Sequence, residues 1–131
     1  MATFLLDTSV IIDTLNGKRD RGALLKQLLD EGSILACCPI NVTEVYAGLR
    51  ANEETRTLNF LQSLKYYPVI WPIARLAGEL KRDYSRKGVT LATTDATIAA
   101  VALHHQLTLL TDNLKHYPMK ELLLYPMPAK T

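Results

Sequence analysis

Strand-like apolar runs alternate with helix-like ones along this chain. That alternation predicts an α/β fold, with three layers, α/β/α, around a central parallel sheet of four to five strands. A second observation supports it. Asp7, Glu44, Asp95 and Asp112 each stand just past an apolar, strand-like run, and three of them open a helix-like pattern. The length is a third: 131 residues suit one domain, taken here as 1–131, and leave no room for two ordinary ones.

The elements follow in order. Phe4-Leu5-Leu6 is a short strand, ended by the helix-capping run Asp7-Thr8-Ser9. Val10-Ile11-Ile12 begins a helix that Asn16-Gly17 and the charged Lys18-Arg19-Asp20-Arg21 interrupt. Leu24, Leu25, Leu28 and Leu29 recur at helical spacing until Gly32 stops them. Ile34 to Cys38 is a second strand. Asn41-Val42-Thr43-Glu44 starts a helix through Val45 and Leu49, and Glu53 to Lys65 is another helical stretch. Pro68-Val69-Ile70-Trp71-Pro72 reads as a strand fenced by prolines. Ile73 to Lys87 is the clearest amphipathic helix, with Ile73, Leu76, Ala77, Leu80 and Tyr84 on one stripe and Gly88 closing it. Thr93-Thr94 caps a helix running from Asp95 through Ile98 and Val101. Leu107 to Thr111 is a strand, followed by the turn Asp112-Asn113. Glu121 to Tyr125 reads as an edge strand, and Pro126 and Pro128 end the order.

Composition narrows the function classes. Hydrophobic residues make up 48% and charged residues 21%, a balance that fills one core and excludes a disordered chain. No apolar run approaches the ~20 residues of a membrane span, and the start carries no basic leader, so a cytoplasmic protein is expected. A net charge of +2 permits nucleic-acid binding without arguing strongly for it. Cys37 and Cys38 are adjacent, which suits neither a bridge nor a zinc site, and both read as buried thiols. The chain holds no GxGxxG, GxxxxGK[ST] or GxSxG, so dinucleotide, P-loop and hydrolase-elbow chemistry lack their residues.

Each acid has a plain structural role open to it. Asp7 is a candidate helix cap, Asn41-x-x-Glu44 fits a capping box, Asp95 suits a helix dipole and Asp112-Asn113 suits a turn. The joint pattern says more. Ligands bind outside the carboxyl ends of the strands in an open α/β sheet, and carboxylates delivered there repel one another unless a cation sits among them. The arrangement reads as a hard-metal site for Mg²⁺ or Mn²⁺. His104 and His105 fall at a helix end, whereas His116 lies closer to the Asp112 turn. No Ser–His–Asp or Cys–His set is evident, which disfavours a side-chain nucleophile.

Four segments resemble, in order, the signature blocks of PIN-domain proteins: Leu5 to Asp13, Asn41 to Gly48, Thr94 to Ala100 and Leu107 to Asn113. More narrowly, the chain is similar to the VapC toxins of toxin–antitoxin pairs. The resemblance places the family's first three acids at Asp7, Glu44 and Asp95. The fourth falls on Asp112 or Asn113. The familiar Asp-Phe pair further on is His116-Tyr117 here, and Asn41 stands where the family usually has Thr.

The resemblance implies a PIN-like fold and an endoribonuclease that uses Mg²⁺ or Mn²⁺ and metal-activated water. Its catalytic residues would be Asp7, Glu44, Asp95 and Asp112, with Asn113 a further ligand. Thr8, Ser9 and Thr111 would orient the carboxylates with hydroxyls. Arg75, Arg82 and Arg86 are candidate RNA contacts on one stripe of the amphipathic helix, although Glu79 shares that stripe and an ion-paired solvated face is the favoured explanation of it. The resemblance also implies a homodimer and an antitoxin protein, with no DNA reading by the toxin chain itself. The competing reading is a PIN-like scaffold that holds RNA or protein without cutting. A phospho-receiver domain ranks below both, because Asp7-Thr8-Ser9 lacks the paired acids such a domain opens on.

Overall fold

The computed structural model describes residues 2–127. Its strands are β1 (Thr3–Leu6), β2 (Ile34–Cys37), β3 (Lys65–Tyr66), β4 (Thr108–Leu110) and β5 (Leu123–Leu124), all parallel, in the order β3-β2-β1-β4-β5. The helices are α1 (Thr8–Leu15), α2 (Arg21–Asp30), α3 (Pro39–Ala47), α4 (Glu54–Gln62), α5 (Trp71–Arg86) and α6 (Thr93–His105). Short 3₁₀ turns cover Ala51–Glu53 and Leu114–His116. The α/β/α architecture with a five-stranded parallel sheet is the one the alternation predicts.

Strand side chains point alternately to opposite faces, so the sheet builds two cores. Leu5, Ala36 and Leu109 pack with Ile73 and Ala77 of α5 and with Ile98, Val101 and Ala102 of α6. Phe4, Leu6, Leu35 and Leu110 pack on the other face with Val10, Ile11, Leu24, Leu25, Leu28, Val45 and Leu61. The central strands are buried on both faces, which is why Leu5 and Leu6 are apolar in succession. No helix among the described residues is long and apolar enough to cross a membrane.

The register decides where function can sit. Leu6 pairs with Leu110 and Leu5 with Ala36, so β1, β2 and β4 end at one level. The chain leaves β1 toward β2 on one side, and β4 joins on the other side. The gap between β1 and β4 is therefore the topological switch point, where open α/β sheets bind ligands. Asp7 and Thr111 stand on either side of it. The Asp7 amide donates to the Leu110 carbonyl at 2.9 Å, carrying the ladder one step past β1.

Some boundaries differ from the sequence reading. Pro68 to Pro72 is not a strand. The strand lies earlier, at Lys65–Tyr66, paired with Ala36 and Cys37. Both its residues are exposed at the sheet edge, so no apolar run marks it. Pro72 lies in the first turn of α5, where a missing N–H costs nothing. The stretch read as helical from Glu53 to Lys65 consequently ends at Gln62. Thr93 and Thr94 lie inside α6, and Ala92 occupies the cap position without a side-chain bond. The capping box read at Asn41 and Glu44 is shifted by one box: Cys38 is the cap, and Asn41 Oδ1 accepts from its amide at 2.8 Å. The edge strand contracts to Leu123–Leu124 against β4. Pro128 lies outside the described residues.

Candidate active site

Asp7 is the N-cap of α1, its backbone still extended, and its carboxylate is buried. Oδ1 accepts from the Thr8 amide at 2.9 Å, and Oδ2 accepts from the Thr111 hydroxyl at 2.6 Å. The cap reading is therefore correct, yet it leaves lone pairs on both oxygens. Glu44 lies in the second turn of α3, so β2 and its crossover bring it to β1. Its Oε1 accepts from the Thr8 hydroxyl at 2.6 Å, and that hydroxyl accepts in turn from Asn41 Nδ2 at 3.0 Å. Asn41 is fully buried. One relay thus runs from the Cys38 amide through Asn41 and Thr8 to Glu44.

Asp95 enters from the first turn of α6. The Tyr117 hydroxyl donates to its Oδ1 at 3.3 Å, and His116 Nδ1 stands 3.4 Å from its Oδ2. Burial pushes the Asp95 carboxyl above the usual carboxylate range, and the charges of Asp7 and Glu44 add to the rise. The nearby His116 and the Tyr117 bond oppose it. Asp7 and Glu44 are thus close enough for Asp95 to feel both charges. Tyr117 is itself buried, and burial together with the charges of Asp7 and Asp95 pushes its phenol well above the ordinary range.

Asp112 is placed differently. Arg21, itself 2% exposed, holds it in a two-pronged pair, Nη2 to Oδ1 at 2.7 Å and Nε to Oδ2 at 3.3 Å. Arg19 approaches the same carboxylate at 4.0 Å and Asp13 at 3.7 Å. The structure gathers Asp7, Glu44 and Asp95 and gives Asp112 a cation of its own. Asn113 stays beside the cleft: its amide donates to the Thr111 hydroxyl at 2.9 Å, and its side chain faces the Ser9 hydroxyl at 3.5 Å. Ser9 therefore meets Asn113 rather than a carboxylate.

The helix stripe resolves residue by residue. Arg75 faces Glu79 at 3.6 Å and Arg82 faces Asp83 at 3.1 Å, both exposed. Arg86 has no ion-pair partner among the described residues, and it lies in the last turn of α5. That end of α5 is tied toward the site by the Tyr84 hydroxyl, which donates to the Pro118 carbonyl at 3.2 Å. His104 and His105 meet edge to face at the opposite end of α6.

Sequence reading missed three contributors. Arg21 is inside a charged run that looked solvent-facing, and nothing local marks it as buried. Asn41 looked like a departure from a pattern, yet it anchors the Glu44 relay. Tyr117 reads only as half of the His116-Tyr117 pair, and the fold alone aims its hydroxyl at Asp95.

The donor set suits a hard divalent cation: three neighbouring carboxylates, each accepting from a hydroxyl and Asp7 also from a backbone amide. As the side chains stand, no three His, Cys, Asp or Glu among the described residues close on one point. Like charges without a cation hold apart and lean on neutral or basic neighbours, as Asp95 does on Tyr117 and His116.

Comparison with known proteins agrees with the geometry. The profile of the PIN domain matches residues 4–121. Ribonuclease VapC19 of Mycobacterium tuberculosis is 32% identical over 115 residues, covering 88% of this chain and 92% of that protein. Ribonuclease VapC10 of the same organism is 33% identical over 122 residues, covering 93% and 91%. Among solved structures, a toxin–antitoxin complex from Klebsiella pneumoniae has a chain 28% identical, with a TM-score of 0.74 and coverage of 94% and 96%. VapBC2 from Rickettsia felis, bound to a DNA fragment from its promoter, shares the fold with a TM-score of 0.81 at 23% identity and coverage of 94% and 97%. The chain belongs to the PIN-domain family. Its relatives place it, within that family, among the VapC proteins.

Proposed function

We propose that this chain, a single PIN-like domain, is the ribonuclease toxin of a toxin–antitoxin pair, and that it hydrolyses RNA phosphodiester bonds with Mg²⁺ or Mn²⁺. The observation that carries the proposal is the convergence of Asp7, Glu44 and Asp95 at the β1/β4 switch point. The names of the VapC relatives support the reaction class, and the toxin–antitoxin complexes among the structural neighbours support the partner.

Asp7 and Asp95 are the direct ligands in this reading. The bound cation supplies an acidified water and neutralises charge on the phosphate. The residues do the rest. Thr111 and the Thr8 amide hold Asp7 in one rotamer, so its free lone pairs face the cleft. Glu44 has one oxygen on Thr8, which leaves the other to orient the attacking water and take its proton. The water oxygen adds to phosphorus in line with the departing 3′ oxygen as Glu44 takes its proton. The P–O3′ bond breaks, and the 3′ oxygen is protonated by a solvent water whose loss Glu44's proton restores. The products are a 5′ phosphate and a 3′ hydroxyl. Asp112 serves through Arg21, fixing the turn that carries Thr111 and Asn113, and Asn113 remains a candidate for a neutral oxygen ligand. Arg86 is the strongest of the three helix arginines for a phosphate contact, since Arg75 and Arg82 already face acids.

A homodimer, a cognate antitoxin and a cytoplasmic location complete the proposal. Reading of promoter DNA is left to the antitoxin.

The test is cleavage of cellular RNA by the purified chain with Mn²⁺, with the ends mapped. The Asp7→Asn variant should lose on the order of 100-fold in rate, the scale on which removing one preorganised electrostatic stabiliser slows such chemistry. Cyclic phosphate ends would overturn the water route. Intact RNA with the wild-type chain, despite bound Mn²⁺, would leave the scaffold reading in place.

A further inference from the structure

We propose that His116 is a nitrogen ligand at this centre, and that its imidazole tilts the site from Mg²⁺ toward Mn²⁺. This rests on the metal-centre reading of the previous paragraphs.

The two oxygens of Asp95 are served from different sides. Oδ1 accepts from the Tyr117 hydroxyl at 3.3 Å. Oδ2 faces His116 Nδ1 at 3.4 Å. Two neighbouring ligands in an octahedral shell with bonds of about 2.1 Å stand roughly 3 Å apart. The observed pair lies a few tenths of an ångström from that spacing. An ion reaching Oδ2 therefore meets the imidazole.

The backbone around His116 is pinned while its side chain is not. The His116 amide donates to the Asn113 carbonyl at 3.0 Å, the Asn113 amide to the Thr111 hydroxyl at 2.9 Å, and that hydroxyl to Asp7 at 2.6 Å. The Tyr84 hydroxyl holds Pro118 from the other side. The imidazole is about half exposed, so it turns onto an ion without moving this frame.

Donor chemistry sets the preference. Carboxylates and water suit Mg²⁺, and Mg²⁺ gives up water reluctantly. An imidazole nitrogen favours first-row transition ions. With His116 in place the centre offers three carboxylates and one nitrogen. The other two histidines of the chain cannot supply it, because they lie at the far end of α6, His104 edge-on to His105 and His105 against Tyr67.

The experiment uses the full chain with Mn²⁺ or Mg²⁺ alone, measured by calorimetry and by electron spin-echo spectroscopy of bound Mn²⁺. Wild type should show nitrogen coupling and bind Mn²⁺ more tightly than Mg²⁺. His116→Asn should lose the coupling and about tenfold in Mn²⁺ affinity, with Mg²⁺ affinity unchanged. His116→Asp should shift the ratio toward Mg²⁺. Wild-type Mn²⁺ without nitrogen coupling, and a His116→Asn variant with the same ion ratio, would show His116 to be only an ion-pair partner of Asp95 and would overturn the proposal while the metal centre stands. Failure of wild type to bind either ion would remove the centre and the proposal together, and Asp7→Asn serves as the reference for that outcome.

Discussion

Two acidic regions share the carboxyl edge of one sheet and meet opposite fates. Asp112 follows β4 and is closed off by a buried guanidinium. Asp7, Glu44 and Asp95 follow β1, β2 and α5 and are met mainly by hydroxyls, amides, a phenol and a half-exposed imidazole. The first region carries its own cation and is electrically complete. The second leaves negative charge uncompensated, which is why burial and neighbouring acids raise Asp95. The contrast teaches that position past a strand does not by itself fix an acid's electrostatic role; whether the fold brings a guanidinium against it does.

The largest effect should come from breaking the completed pair. Arg21 and Asp112 have side chains only 3% and 4% exposed, so Arg21→Ala strands a buried carboxylate and should cost about 3–5 kcal/mol in urea unfolding. Replacing both, as Arg21→Met with Asp112→Asn, should recover a large part of that loss. If Arg21→Ala instead bound Mn²⁺ more tightly than wild type, Asp112 would belong with the other acids and the contrast would collapse.

A smaller change sharpens the other region. Tyr117→Phe removes a buried hydroxyl from Asp95 and should lower metal-free stability by about 1 kcal/mol, read from the same unfolding curves. An unchanged midpoint would show that this bond contributes nothing net.

The smallest effect is a dependence on pH. The folded chain holds the Asp95 proton more tightly than the unfolded chain does. Its stabilising contribution is therefore full below the ordinary pKa of 3.8 and is lost as pH rises through the elevated folded value. Without metal, Asp95→Asn should gain on wild type in melting temperature between about pH 4 and neutrality. A constant difference across that window would mean Asp95 is not destabilised by its surroundings.

Much of this was legible before folding. The strand–helix alternation, the acids past β1, β2 and β4 and the clear stripe of α5 are local patterns that survive in the structure, whereas Asp95 follows helix α5 and not a strand. The short β3 was not legible, because Lys65 and Tyr66 lie on an exposed edge and their pairing with β2 is made by backbone groups that carry no sequence signal. Nor was the split among the four acids. Arg21 lies 91 residues from Asp112 along the chain, and nothing near either residue announces the other.

The order of residues settles whatever depends on neighbours a few positions apart: helix periodicity, apolar runs, caps such as Asp7. It also places an acid near the end of each inner strand. Which acids share a cleft, which one finds a guanidinium and where the Tyr117 hydroxyl points are settled only when β1 and β4 pair and α3, α6 and α2 dock around them. Electrostatic partnership depends on distance through space, and chain separation does not encode that distance.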